Sequence, residues 1–282
     1  TIFTVTVLIA VLLIVNGCSS MGSLVTTEVE QQIETARSGE AAMISEVDLA
    51  GLPEPLQRYL RYAGVVGKPH VRFARIKYVG FFRSTPNQEW APLKAEEYYT
   101  TEPPSFVFHA RVGSSFLGRI SVREKYMDGK GFLLVKIWPG FTVADAHGET
   151  TDIDQADRYL SEMTWFPTAY LKSYNQWEAI DENSAKVTLS YQGVTVSAIA
   201  YFNEIGEMVK FVGQKHVGTD GTLSGRERML TGWTVTLGDY EERHGFRVPT
   251  TGEGIFNLNS GDFEYIRVTG LPELEYDTFA GE

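Results

Sequence analysis

The chain has 282 residues, of which 43% are hydrophobic and 22% are charged. This composition supports a packed core and excludes wholesale disorder. The formal net charge is −11, and no basic stripe interrupts the acidic balance, so no nucleic-acid partner is expected. The single cysteine, Cys18, excludes an intrachain disulfide framework and a zinc site with Cys-x-x-Cys spacing.

The N-terminal residues 2–15 are uncharged and almost wholly aliphatic. This run is shorter than the roughly 20 residues that span a bilayer, and it matches the apolar part of a signal peptide. The following Val15-Asn16-Gly17-Cys18-Ser19 resembles a bacterial lipobox, which implies lipidation of Cys18 and, from Ser19, sorting to the outer membrane. A longer membrane anchor and a cleaved secretion signal remain alternatives. All three predict export, and the first predicts an outer-membrane lipoprotein facing the periplasm.

The organisation predicted for the chain has three parts. Residues 1–18 are a signal peptide with lipobox or a membrane anchor, residues 19–51 are a tether, and residues 52–282 are a single antiparallel β-rich domain. Thr27 can start a short helix in the tether. A firmer helix begins at Pro53, where apolar residues recur at helical spacing before Gly64.

From His70 onward the period changes to that of strands, as in the alternating run 106–112. Short turn signals such as Asp128-Gly129 lie between many of these runs and indicate antiparallel neighbours. One amphipathic helix interrupts the strands from about Asp152 to Phe166. The predicted fold is mainly β (α+β): a large curved antiparallel sheet or half-barrel with two or three helices covering its concave face.

Standard catalytic strings are absent, the five histidines lack ligand spacing, and no metal site or cofactor is predicted. One local pair is His109 and Arg111, which lie on the same face of a strand about 7 Å apart. They either meet solvent or form a polar patch inside a cavity. In the cavity, Arg111 would hold a carboxylate or phosphate.

A second group lies on the interrupting helix. Arg158 and Glu162 have the i,i+4 spacing of an ordinary ion pair, but Glu162 could instead face the sheet and pair with Arg111. The tryptophans Trp138 and Trp165 could line an apolar cavity, although such residues more often belong to the core.

Several segments resemble an uncharacterised bacterial family of unknown function: residues 106–112 (FHARV within them), 126–131, 159–169 (YLSEMTWFPTA) and 240–253. The family often has Trp where this chain has Phe108. The resemblance implies that His109, Arg111, Glu162, Trp165 and Pro167 belong to a signature, without assigning them a role. A weaker analogy in general plan connects the chain to the outer-membrane lipoprotein carrier and receptor (LolA/LolB-like) proteins.

These observations favour a binding module over an enzyme. The predicted module holds an acyl chain, lipid or lipoprotein between sheet and helices, with a ligand-binding set of His109, Arg111, Trp138, Glu162 and Trp165. One alternative is a structural or assembly protein of the envelope with an exposed apolar patch or sheet edge. The other is a hydrolase or isomerase that uses Glu162 and His109 as acid and base. The oligomeric state is left open.

Overall fold

The computed structural model describes residues 21–37, 41–114, 119–138, 140–223 and 227–278. Three α-helices and thirteen strands make up the described chain. The helices are α1 (21–37), α2 (Glu54–Ala63) and α3 (Glu149–Glu162). The strands are β1 (Phe73–Phe82), β2 (Ala91–Thr101), β3 (Pro104–Val112), β4 (Ile120–Met127), β5 (Lys130–Ile137), β6 (Phe141–His147), β7 (Asn175–Asp181), β8 (Ser184–Tyr191), β9 (Val194–Phe202), β10 (Met208–Gly218), β11 (Arg228–Arg243), β12 (Phe246–Leu258) and β13 (Gly261–Tyr276).

All thirteen strands form one antiparallel sheet in the order β6-β5-β4-β3-β2-β1-β13-β12-β11-β10-β9-β8-β7. The first six strands and the last seven are each a meander, and β13 pairs with β1 to join them. The sheet is curved and unclosed, which leaves β6 and β7 as its two edges. The predicted fold, a large curved antiparallel sheet with a few helices, is confirmed.

Tight turns set the register of several hairpins. Asp128-Gly129, Gln192-Gly193 and His244-Gly245 each place both central residues at positive φ. That geometry is a two-residue type I′ turn, whose twist matches the twist of the flanking strands. Glycine at the second position of each pair adopts it without steric cost.

Helix α3 connects β6 to β7 and fills a gap in the sheet. The pairing of β10 with β9 ends at Val212, and beyond it the backbone N–H of His216 donates to Asp154 Oδ1 at 2.9 Å. On the other side, the N–H of Gly131 in β5 donates to Asp152 Oδ1 at 2.7 Å. Carboxylates of α3 therefore accept hydrogen bonds from strand N–H groups that would otherwise donate to a neighbouring strand.

The space between α3 and the sheet is a packed aromatic core. Tyr99, Phe166 and Tyr159 are fully buried, with the rings of Tyr99 and Phe166 only 4.6 Å apart. Two 3-10 turns, Met163–Trp165 and Pro167–Leu171, continue the helix into this core. Side chains thus occupy the position directly beneath α3 where the sequence predicts a ligand cavity.

Residues of the predicted tether pack on the domain. Helix α1 lies on the convex face of the sheet, with one stripe turned inward: Met21, Val25, Glu28, Gln32 and Ala36. The stripe follows the 3.6-residue helical period. Farther along, residues 42–44 bond to residues 67–70, and Leu49 is fully buried. Across the described ranges, no helix is both long and apolar enough to cross a membrane.

Gly131 offers a test of how closely α3 is seated. A Cβ atom at this position would overlap the carbonyl oxygen of Thr151 on α3. Gly131→Ala should therefore lower the free energy of unfolding by about 1–3 kcal/mol, because either the helix or β5 must shift.

The matched control is Gly270→Ala, because a Cβ there meets only Val79 Cγ2 at an ordinary 3.6 Å. Urea unfolding compares the two variants. Equal stability for both would contradict the close seating of α3 on β5.

Candidate functional site

A buried arginine on α3 is the centre of the candidate site. Arg158 donates from Nη2 to Glu97 Oε2, from Nη1 to Glu124 Oε2 and from Nε to Glu162 Oε1, each at 2.9 Å. Its guanidinium also lies 4.1 Å from the ring centre of Phe108. One cation therefore joins carboxylates from β2, β4 and α3, in a geometry that strengthens each hydrogen bond.

Glu97 is the most deeply buried acid of this cluster, with no exposed surface. Its burial raises the pKa of the carboxyl well above the usual range, and the nearby Glu162 adds to this while Arg158 opposes it. One guanidinium does not neutralise three carboxylates, and this excess of negative charge in a dry site further disfavours the ionised form of Glu97. Tyr99 completes the cluster by donating to Glu162 Oε2 at 3.0 Å.

A second buried acid, Asp157, precedes the arginine on α3. Complete burial raises the pKa of Asp157 to about 7; the charge of Lys215 lowers it and that of Asp154 raises it further. Its Oδ2 atom has no hydrogen-bond partner. A Cβ on Gly213 would come within 2.9 Å of Asp157 Oδ1, so glycine at this position of β10 lets the carboxylate approach the strand.

Two of the predicted ligand-binding residues, Glu162 and Trp165, lie at this cluster. Glu162 forms the ordinary i,i+4 pair with Arg158. Trp165 is buried and donates from Nε1 to the carbonyl oxygen of Pro249 at 3.1 Å. Its ring packs 5.4 Å from Tyr78, whose hydroxyl lies within 3.4 Å of Arg158 Nη2. Both residues therefore help to hold α3 on the concave face.

The other predicted pair, His109 and Arg111, lies on the convex face. His109 is opposite Arg123 in β4 and contacts Ser121 Oγ at 3.2 Å, while Arg111 is exposed. Burial, with help from Arg111, lowers the pKa of His109. The proposed pairing of Arg111 with Glu162 is wrong, because the two side chains are on opposite faces of the sheet. For the same reason Glu162 and His109 do not converge as an acid and base.

Trp138, the remaining predicted ligand-binding residue, follows β5 in the turn to β6. It is half-buried, and its backbone N–H donates to the carbonyl oxygen of Arg119 at 2.9 Å. It lies at the open end of the sheet, whereas Glu162 and Trp165 lie at the cluster. Cys18, the predicted lipidation site, is outside the described residues.

The residues on the concave face are arranged in rows across the sheet, because opposite residues of paired strands share a face. The row that holds Glu97, Phe108, Glu124 and Leu133 carries the arginine cluster. Beyond it are two rows that we call the apolar rows. The inner row is Ala95, Ala110, Val122, Val135 and Ala144, and the outer row is Leu93, Val112, Ile120, Ile137 and Phe141.

Exposure along the apolar rows rises toward the β6 edge. Leu93 and Val112 are buried, Ile120 and Ile137 are half-buried, and Phe141 is 70% exposed. The half-buried side chains of β5 belong to none of the packed hydrophobic clusters of the described residues. An aliphatic and aromatic surface thus extends from the charged row to a free edge of the sheet.

Two hollows lie elsewhere on the described part of the chain. One, of about 740 Å³, is lined by residues 130–132, 147–149, 152–153 and 192–195 where two hairpin turns meet. The other, of about 520 Å³, is lined by residues 102–104, 173–174 and 190–191. Neither contains a predicted ligand-binding residue.

The arginine cluster predicts a large loss of stability when its cation is removed. Arg158→Met keeps most of the side-chain volume but leaves buried carboxylates without a partner, so unfolding free energy should fall by about 3–5 kcal/mol. Adding Glu97→Gln should restore part of the loss.

Arg61→Met is the control, because Arg61 pairs with Glu46 at the surface and such pairs contribute about 0–1 kcal/mol. Chemical denaturation measures all three variants. A loss at Arg158 no larger than at Arg61 would show that the cluster is not a structural anchor.

The raised pKa of Asp157 predicts a pH-dependent effect of Asp157→Asn. In the folded chain this carboxyl holds its proton up to about pH 7, whereas in the unfolded chain it loses the proton near pH 4. The folded state therefore binds more protons between these pH values, and the wild type loses stability as pH rises through this window. Asparagine does not titrate and so removes this loss. The free energy of unfolding of the variant should exceed that of the wild type by on the order of 2–4 kcal/mol at pH 8 and by little at pH 4.

Urea unfolding at both pH values tests this expectation. Glu204→Gln, which changes an exposed acid, should show no such difference between pH 4 and pH 8. If the free energies of unfolding of Asp157→Asn and wild type differ by the same amount at both pH values, the raised pKa of Asp157 is contradicted.

Solved structures with a similar general plan come from several bacteria. A candidate outer membrane lipoprotein-sorting protein domain from Vibrio parahaemolyticus is 7% identical, with a TM-score of 0.41 over 75% of this chain and 88% of that one. A LolA superfamily protein from Nitrosomonas europaea is 11% identical, with a TM-score of 0.36 over 83% and 94%. A DUF1329 family protein from Desulfovibrio piger is 9% identical, with a TM-score of 0.41 over 81% and 93%.

These likenesses match the analogy in general plan that the sequence suggested, and at such TM-scores they carry no argument about function. No curated protein sequence matches the chain. A family model does match, over residues 42–268, and its description is a family of unknown function, DUF6544. The match covers most of the chain and includes the segments that carried the resemblance. The chain therefore belongs to the DUF6544 family.

Proposed function

We propose that this protein is an exported, lipid-anchored envelope protein that binds an apolar ligand on the uncovered part of its concave face. The ligand class is an acyl chain, as a free lipid or as the lipid part of a lipoprotein. The observation that carries the proposal is the pair of apolar rows, which run from the buried arginine cluster to the free β6 edge.

The rows have the form that an extended hydrocarbon chain needs. Val122, Val135, Ile120 and Ile137 are half-buried neighbours on one face, so a chain lying along them would cover aliphatic surface that water now contacts. Each Å² of apolar surface removed from water contributes about 25 cal/mol. At the inner end, the charged row of Arg158 and its carboxylates stops the apolar surface. Such a surface is concave and apolar with polar groups at one end, as in many ligand sites.

The predicted ligand-binding residues take different positions in this proposal. Trp138 lies at the open end, where a ligand would enter, and Glu162 and Trp165 fix the helix that bounds the inner end. His109 and Arg111 face away from the apolar rows and so do not line this surface. The N-terminal anchor enters the proposal through the lipobox-like sequence at Cys18.

Native mass spectrometry of the full chain, purified gently from a bacterial host, tests the proposal. A stoichiometric lipid adduct is expected, together with the added mass of acylation on Cys18. Val135→Asn should reduce the adduct several-fold, because an amide in the apolar rows must give up its hydration when an acyl chain covers it.

Phe132→Asn is the matched control: it lies on the same strand, but its neighbour Lys125 places it on the convex face. Circular dichroism checks that both variants fold. A wild-type chain that carries no lipid and takes up none from added vesicles would refute ligand binding.

One observation favours the second candidate, an assembly protein without a small ligand. Phe141 and Val143 on the β6 edge are 70% and 55% exposed, and an exposed apolar edge strand is a surface on which another chain can pair. A lipid-free chain that instead forms a stable complex through this edge would support the assembly role.

A further inference from the structure

Helix α1 follows a definite path across the convex face of the sheet. Ala36 packs with Phe73 of β1. One turn earlier, Gln32 donates to Ser105 Oγ at the start of β3 at 2.8 Å. Another turn earlier, Glu28 meets β4. Read from its C-terminal end, the helix therefore crosses the strands in the order β1, β3, β4.

The contact with β4 is a buried ion pair. Arg123 donates from both Nε and Nη2 to the two oxygens of Glu28, and the Nε bond is 2.8 Å long. Lys125 Nζ donates to the same carboxylate at 2.7 Å. Glu28 and Arg123 are 8% and 7% exposed, so the pair is shielded from solvent and fixes α1 on the sheet.

The path continues toward the β6 edge. From Glu28 back to Met21 the helix rises about 1.5 Å per residue, or about 10 Å in all. Neighbouring strands are about 4.8 Å apart, so this length carries the helix past β4 in the direction of β5 and β6. Met21 is 4% exposed, which means that the first described turn still packs on the protein. Helix α1 thus begins beyond β4, on the side of the sheet that ends in the β6 edge.

Cys18 is only a few residues from this point. Three residues of extended chain reach at most about 10 Å. An acyl anchor on Cys18 would therefore hold the lipid bilayer close to the β6 edge rather than at the end of a long flexible tether.

We propose that the β6 edge is a membrane-contact surface and that α1, packed on the sheet, orients this edge toward the bilayer. We call α1 the clasp for this reason. This inference rests on the lipid anchor of the proposed function. The occupant is a lipid surface, because α1 runs toward this side of the sheet from an anchored N-terminus and the edge presents Phe141 and Val143 to it. The apolar rows end at Phe141, so the same edge connects the bilayer with the proposed ligand surface.

Quenching of a fluorophore on the anchored protein tests the proposal. The full chain is acylated in the host and reconstituted into vesicles of phosphatidylethanolamine and phosphatidylglycerol. A nitrobenzoxadiazole label is attached through the cysteine of Phe141→Cys. The label goes to this position alone, because acylation blocks the thiol of Cys18. Nitroxide-labelled lipid should quench this label several-fold more than aqueous iodide does.

The matched control is Ile180→Cys on β7, the other edge of the sheet. Ile180 is also an exposed apolar residue, at 51%, but α1 does not lead to it. The label there should show the opposite preference and be quenched mainly by iodide. If the two labels behave alike, or if iodide reaches position 141 more readily than the lipid quencher does, the proposal is overturned.

The clasp itself is tested with Glu28→Gln, combined with each label. Loss of the buried charge should free α1 and remove the difference between positions 141 and 180. Glu30→Gln, on the exposed side of the same helix, should keep the difference. If Glu28→Gln leaves the difference unchanged, α1 does not act as the clasp.

Failure of this inference is distinguishable from failure of ligand binding. Lipid adducts are measured on the same preparation by native mass spectrometry. Adducts together with iodide quenching at position 141 would leave ligand binding standing and remove the membrane contact. A chain that is not acylated and does not stay with the vesicles would remove both the anchor and the contact.

Discussion

The guanidinium of Arg158 is the interaction on which the concave side of the structure depends. It joins α3 to β2 and β4 through Glu97 and Glu124, and to the last residue of its own helix through Glu162. Burying a cation with three acids is costly, and the geometry repays the cost only if all three hydrogen bonds form together. The cluster therefore admits one position of the helix on the sheet.

The position of α3 satisfies backbone N–H groups that the unclosed sheet leaves unpaired. Strand β10 separates from β9 after Val212, and a buried strand edge without partners would leave backbone N–H groups unsatisfied. Helix α3 enters this gap, and Asp154 accepts from the backbone and from the ring of His216. The same helix divides the concave face into an aromatic core on one side of the arginine and the apolar rows on the other.

Local features of the sequence predicted local features of the structure. The Asp-Gly, Gln-Gly and His-Gly pairs are turns, the period of Leu56 and Leu60 marks α2, and the i,i+4 spacing of Arg158 and Glu162 marks an ion pair. The alternation around His109 predicted two alternatives, and the structure shows the one in which Phe108 faces the core and His109 faces away from it. Each of these inferences needs only neighbours within one element.

Contacts between distant elements were not accessible in this way. Two acids stand side by side in β2, Glu96 and Glu97, and alternation requires one of them to face the core without saying which. Its partner lies about sixty residues away on α3, so no spacing rule could find it. Helix α1 was missed as a packed element for a related reason. Glu28 and Gln32 interrupt its apolar stripe, and their burial is explained only by Arg123 and Ser105 on the sheet.

Taken together, the two charged clusters explain why so much apolar surface is left uncovered at one edge. The Arg158 cluster fixes α3 at the inner end of the apolar rows, so the helix cannot slide outward to cover them. The Glu28–Arg123 pair holds α1 on the convex face, so this helix cannot cover them either. Exposed Phe141 and Val143 would favour aggregation on a free strand edge unless something protects that edge. A bilayer held close by the N-terminal anchor would provide that protection, and an acyl chain could then reach the apolar rows without crossing water.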